Sequence, residues 1–286
     1  MSNGLITATD LAVRLGDPAL AVLDATVLLT PPQHDGDWAA ASGRERFEAA
    51  HIPGSVHADL LDDLADHDAG FHFAQLAPHE LVARLAALGV GQGSSIVVYD
   101  DDRRMWSTRL WLSLRALGVD GVQVLDGGLS AWKSAGLPLA VGPTTPTVAL
   151  PLVAQARAGV LVDRAAVLDI VEGRAEAQLF CTLAPEAFSG AAPTRYARRG
   201  RIAGSQTSPA TSILSQDDHF RSTHHLRALL ATMLADPRPL VLYCGGGISA
   251  SLLAFALVQL GREDVAVYDG SLEDWSSDPS LPMEIG

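Results

Sequence analysis

Two kinds of apolar pattern alternate along this chain. Short runs such as Ala21-Val22-Leu23, Ile96-Val97-Val98-Tyr99 and Leu240-Val241-Leu242-Tyr243 have the length of strands buried on both faces, as does Val122 to Leu125. Longer stretches carry apolar residues three and four apart, the spacing of a helix: Pro78 to Leu88, Ser107 to Leu117 and Ser249 to Leu260. Pro78 stands where a helix can begin, and Gly261 where one can end. The same reading predicts a short helix up to Leu15 capped by Thr7 or Asp10, helix formers from Trp38 to Ala50, and a closing helix from Leu129 to Ser134. It also predicts a helix near Arg164 to Glu172 and a strand near Gln178 to Thr182. His51-Ile52-Pro53-Gly54 reads as a turn. Strands alternating with helices imply an α/β fold, a mostly parallel sheet flanked by helices.

Comparing the chain with itself shows that this pattern occurs twice. Ile96-Val97-Val98-Tyr99-Asp100 parallels Leu240-Val241-Leu242-Tyr243-Cys244, with the tyrosines 144 residues apart. Val124-Leu125-Asp126-Gly127-Gly128-Leu129 parallels Val267-Tyr268-Asp269-Gly270-Ser271-Leu272, and Trp132 parallels Trp275, at a spacing of 143. The chain therefore divides into a first unit, 1–140, a linker, 141–156, and a second unit, 157–286. Pro143, Pro146 and Pro151 and the lack of any period mark Leu139 to Val153 as an extended tether.

Composition narrows the possible partners. The chain has 286 residues, 48% of them hydrophobic, and a formal net charge of −13. That balance argues against nucleic acid or an anionic membrane surface as partner, while leaving room for a small anionic substrate held by local amides and a few arginines. No apolar run has the length of a membrane span, and Met1 to Leu15 lacks the pattern of a signal peptide. Two cysteines, Cys181 and Cys244, make no disulfide scaffold and fit a reducing, cytoplasmic setting.

The chemistry concentrates at Cys244. A buried strand ends there, Gly245-Gly246-Gly247 follow, and Ile248 and Ser249 lead into a helix. A lone cysteine beside apolar residues is commonly an inert core residue. Three glycines, however, let a loop curl and turn its amides toward one centre. Those amides and the positive end of the helix dipole favour thiolate over thiol. A phosphatase loop of similar shape needs an arginine at its end, where this chain has Ser249-Ala250. A nucleotide-binding loop needs Gly-Lys-Ser/Thr, which is absent.

Taken together, His51-Ile52-Pro53-Gly54-Ser55, Val97-Val98-Tyr99-Asp100, Leu125-Asp126-Gly127-Gly128 with Trp132, and Cys244-Gly245-Gly246-Gly247-Ile248-Ser249-Ala250 resemble a tandem-domain rhodanese of the thiosulfate or 3-mercaptopyruvate sulfurtransferase kind. The resemblance covers nearly the whole chain. It implies two rhodanese-like domains, the second one catalytic, and sulfur transfer through a Cys244 persulfide, with the amides of Gly245 to Ser249 around the sulfur. The donor it implies is a small anionic sulfur compound and the acceptor cyanide or a thiol. No metal or organic cofactor is implied. A second reading from another class is a persulfide carrier or protein-docking module with little small-molecule turnover.

The chain also departs from the family pattern. Gly246 stands where the mercaptopyruvate type has a serine, so His72 has no hydroxyl to act with. Cys181-Thr182-Leu183 replaces an Asp-Ala-Arg run, and Ala187 stands where an arginine precedes the aromatic Phe188. One expected substrate arginine is thus missing; Arg195, Arg198, Arg199 and Arg201 could supply anion binding, and Arg195 lies closest to the family's second arginine, given a one-residue shift. Cys181 reads as a buried small residue or a resolving thiol. His67 and His72 match no zinc spacing. His219, His224 and His225 read as surface residues, and Asp100 to Asp102 with Arg103 and Arg104 as a local ion-pair turn.

Overall fold

The structure is a computed structural model describing residues 4–286; the first three residues of the predicted first unit lie outside it. Each half of the chain builds one five-stranded parallel sheet. In the first, Leu5–Ile6 (β1), Leu20–Asp24 (β2), Val56–His57 (β3), Ser95–Tyr99 (β4) and Gln123–Leu125 (β5) lie in the order β3-β2-β4-β5-β1. In the second, Leu161–Val162 (β6), Gln178–Cys181 (β7), Gln206–Thr207 (β8), Leu240–Tyr243 (β9) and Val265–Tyr268 (β10) lie in the order β8-β7-β9-β10-β6. Counted from its own first strand, the second order repeats the first. The most continuously apolar strands, β4 and β9, take the middle of each sheet, where both faces are covered.

Matching side chains pin the two copies in the same way. The Tyr99 hydroxyl lies 2.9 Å from Ser55 Oγ and accepts from the Ile52 amide. The Tyr243 hydroxyl lies 2.6 Å from Ser205 Oγ and accepts from the Ile202 amide. Trp132 and Trp275 each donate their indole N–H to a proline carbonyl, of Pro138 and Pro282. The repeat seen in the sequence is thus a repeat of buried contacts.

Two helices join the halves. Met105–Ala116 (α1) follows β4, and a short helix, Gly128–Ser134 (α2), follows β5; Ile248–Gln259 (α3) and Ser271–Ser277 (α4) are their counterparts after β9 and β10. α1 and α3 pack on each other, with Trp111 edge-on to Phe255 at 5.0 Å between ring centres. This explains why α3 is apolar all round: one side faces its own sheet and the other faces α1. Side chains from both halves form one continuous core. Polar contacts at this interface are also paired. Asp126 accepts from the Phe220 amide and meets His219 Nδ1 at 3.0 Å, while Asp269, 143 residues later, accepts from the Gln75 amide and from Arg109 at 2.6 Å. His219 is therefore an interface residue rather than a simple surface histidine.

Two predicted segments differ in the structure. Trp38 to Ala50 is not one helix. Ala40–Ser42 pairs antiparallel with Val27–Leu29, and the helix is confined to Arg44–Ala49. Gly43 separates them and passes so close to Thr26 that a β-carbon would lie 2.1 Å from its carbonyl oxygen. The linker is extended but bound to the first half. Ala149 donates to Ala86, Gln92 to Leu150, and Gln155 and Arg157 to Leu117 and Ala116. Among the described residues no helix is long and apolar enough to cross a membrane.

Candidate active site

Cys244 sits at the carboxyl end of β9, where parallel sheets gather their ligands, and its side chain is 2% exposed. It lies at the floor of a cleft of about 550 Å³ between the two halves. Trp38, Phe73, Met105 and Trp106 of the first half face Tyr196, Arg195 and the Cys244 loop across this cleft. Domain interfaces are a common place for such a site.

The loop is tied down from behind. The helix α4 offers its first amides to the loop carbonyls: Leu272 N donates to Cys244 O at 3.1 Å and Glu273 N to Gly245 O at 2.9 Å. The Ser271 hydroxyl accepts from Cys244 N at 3.1 Å and Gly247 N at 3.0 Å, and donates to Tyr268 O. Gly247 takes a positive φ of 76° and caps α3. Among the described residues, the amides of Gly245, Gly246, Ile248 and Ser249 donate to no protein acceptor. These include the orphan donors of a helix N-terminus, a setting that favours an anion. Gly245, Gly246, Ile248 and Ser249 line the cleft with Cys244, whereas Gly247 lies beneath the loop, against Asp269 O and the Arg109 guanidinium.

Of the four candidate arginines, one lines the cleft. Arg195 spreads over the Trp38 ring at 5.3 Å and donates through Nη2 to Thr30 O, while its buried Nη1 has no partner among the described residues. Arg198 is consumed by the carbonyls of Trp275, Ser276, Asp278 and Leu281. Arg199 pairs with Asp35, and Arg201 with Glu284. Arg195 is thus held in place by residues of the other half of the chain.

Two neighbours, Tyr196 and Glu273, are not singled out by the sequence. Tyr196 lies across the loop: a β-carbon at Gly245 would meet its hydroxyl oxygen at 1.5 Å. Burial, and then the negative charge of Cys244, push the Tyr196 phenol up, so it stays a proton donor. Thr182 and Ser249 hydroxyls meet at 2.9 Å. His72 stacks on Trp38 and hydrogen-bonds Glu273 of the second half. The other oxygen of Glu273, Oε2, is buried without a partner among the described residues. A β-carbon at Gly246 would lie 3.6 Å from that oxygen, an ordinary contact, so the serine position is empty by sequence and not for want of space. Cys181 is fully buried at the end of β7, paired in register with Tyr243. Burial pushes its thiol up to about 12, which makes it an inert core group.

Fold and loop together describe two copies of one domain, with a thiol heading a glycine loop in the second copy alone. The rhodanese-like domain family matches the chain twice, over residues 7–135 and 174–278. The chain belongs to the rhodanese family, and its activity class is sulfur transfer. It is 34% identical to the putative thiosulfate sulfurtransferase SseB of Mycobacterium tuberculosis, over 99% of this chain and 97% of that protein. It is 35% identical to a probable 3-mercaptopyruvate sulfurtransferase of Pseudomonas aeruginosa, over 100% and 99%. The crystal structure of SseA from Escherichia coli, an enzyme of the 3-mercaptopyruvate class with the rhodanese fold, superposes with a TM-score of 0.80 at 26% identity, covering 94% of this chain and 98% of that one.

Proposed function

We propose that Cys244 carries the transferred sulfur as a persulfide, and that the preferred donor is a small carboxylate such as 3-mercaptopyruvate rather than thiosulfate. The observation that carries this reading is the loop: four unclaimed amides beside a thiol at the floor of an interdomain cleft, with the Arg195 guanidinium on the wall. The Cys244 thiolate attacks the donor sulfur. The carbon–sulfur bond breaks, the electron pair leaves on the donor carbon as an enolate, and that enolate takes a proton. The loop amides hold the negative charge on sulfur before and after transfer. An acceptor thiolate or cyanide then attacks the outer sulfur and returns Cys244 as thiolate. Arg195 binds the donor carboxylate through its free edge, in the place of the absent arginine at Ala187. Arg195 stands among the rings of Trp38, Phe73 and Trp106, while the second guanidinium of the cleft, Arg103, lies 3.9 Å from Asp218, an arrangement that suits one carboxylate better than a compact dianion. Two unbridged thiols fit a cytoplasmic setting.

Steady-state turnover with cyanide as acceptor tests this assignment. The wild type should use 3-mercaptopyruvate with a higher kcat/KM than thiosulfate. Arg195→Ala should lower the 3-mercaptopyruvate value by about 10- to 100-fold, the range of a lost charged hydrogen bond. A preference for thiosulfate, or an indifferent Arg195→Ala, contradicts the donor assignment.

A further inference from the structure

The Ser271 hydroxyl reaches the Cys244 loop from below and has no counterpart in the first half. Ser271 is fully buried and takes a φ of 48°, a left-handed conformation that disfavours any residue with a β-carbon. The equivalent residue of the first half is Gly128, at a φ of 51°. There a β-carbon would lie 1.5 Å from Arg104 Nη1, because the Arg104 guanidinium fills that space. The second half thus places a serine where the backbone favours glycine, and its hydroxyl makes three hydrogen bonds, two of them from the catalytic loop.

Resting on the assignment of Cys244 as nucleophile, we propose that Ser271 is the positioning residue of the loop. By accepting from Cys244 N and Gly247 N, its hydroxyl turns these two amides downward. It works with the α4 amides that hold the Cys244 and Gly245 carbonyls on the same side. With both carbonyls drawn away from the sulfur, the amides of Gly245, Gly246, Ile248 and Ser249 are left for the anion. Removing the hydroxyl frees two donors and lets the loop relax, so the thiolate loses aligned amides.

Ser271→Gly separates this role from a structural one, because glycine suits the backbone and lacks the hydroxyl. The expected result is alkylation of Cys244 by iodoacetamide about tenfold slower at about pH 7 than in the wild type, because fewer aligned amides hold the thiolate. The two proteins should react equally at high pH, where the thiol is fully ionised, and the variant should still unfold in one cooperative transition, the relief at φ 48° offsetting part of the three lost hydrogen bonds. The groups facing Cys244 are Tyr196, Arg195, Glu273 and Cys181 of its own half and His72, Asp102, Arg103 and Arg109 of the other. All are common to both proteins, so the difference reports the hydroxyl. A folded Ser271→Gly with an unchanged pH profile overturns the proposal. Amide hydrogen exchange of the wild type decides independently of whether the variant folds: Cys244 and Gly247 amides should be protected, and exchange at the rate of exposed amides overturns it. Alkylation needs no sulfur donor, so failure here is distinct from failure of the persulfide reading.

Discussion

Asp100 ends β4 as Cys244 ends β9, and each heads a loop that turns into a twelve-residue helix. In both, the residue's own carbonyl accepts from the matching leucine, Leu129 or Leu272, at 3.1 Å. The loops differ in what their amides hold. Asp100 Oδ1 accepts from the Asp102 and Arg104 amides, and Oδ2 from the Ser107 amide and hydroxyl. The first half has filled its anion cradle with its own carboxylate. Its loop is one residue longer, with Arg103 and Arg104 in left-handed conformations and Arg104 buried 3.5 Å from Asp100. The second half has glycines in place of these arginines, a thiol in place of the carboxylate, and amides left over. One fold therefore yields a built-in anion in one copy and a thiol beside unclaimed amides in the other.

The largest expected effect comes from making the second loop copy the first. Cys244→Asp should place a carboxylate among the free amides, lowering turnover by at least about four orders of magnitude while leaving the melting temperature equal to or above that of the wild type. A marked loss of stability would show that the second loop cannot seat a carboxylate as the first does. Emptying the first cradle should act on stability instead. Asp100→Ala removes the carboxylate beside a buried guanidinium and should cost about 3–5 kcal/mol in denaturant unfolding. An effect below about 1 kcal/mol would contradict the view that Asp100 is the internal anion.

A smaller effect sharpens the contrast between the halves behind the loops. Asp24 of β2 occupies the register position held by Cys181 in β7: each pairs with the tyrosine of the central strand. Around Asp24 the first half builds a buried polar cluster in which His57 lies between Asp24 and Asp59. Burial alone would lower the His57 pKa, but the two carboxylates outweigh it and raise it from 6.5 to about 9. The charged histidine therefore stabilises the fold fully below about pH 6.5, and this contribution, about 3 kcal/mol at most, is lost as pH rises through about 9. Denaturant unfolding of the wild type should weaken across that window, and His57→Gln should flatten the dependence. A wild-type profile unchanged from pH 6 to 10 would contradict a charged His57.

Much of this was legible in the sequence. The two copies, the central strands and the Cys244 loop rest on apolar runs and on glycines, which act locally. Trp38 to Ala50 was misread as helical because its residue types suit a helix, while the close approach of Gly43 to Thr26 is a tertiary fact. Arg195 could be proposed from its nearness to the family's second arginine, but its hold on Trp38 and Thr30 crosses more than 150 residues of sequence. Ser271 stood in plain view as the one change between Asp126-Gly127-Gly128 and Asp269-Gly270-Ser271. Its meaning depended on a backbone angle and two hydrogen bonds that no residue pattern encodes. Tyr196 lay within a run of arginines, and the charges around it masked the ring that covers Gly245.

The most direct test of the contrast between the two loops is the intact mass of the wild type after incubation with 3-mercaptopyruvate in the absence of reductant, followed by peptide mapping. The account predicts one added sulfur, located on Cys244, absent from Cys244→Asp and removed by cyanide. Sulfur found on Cys181, or none on a free and alkylatable Cys244 with either 3-mercaptopyruvate or thiosulfate, would contradict it.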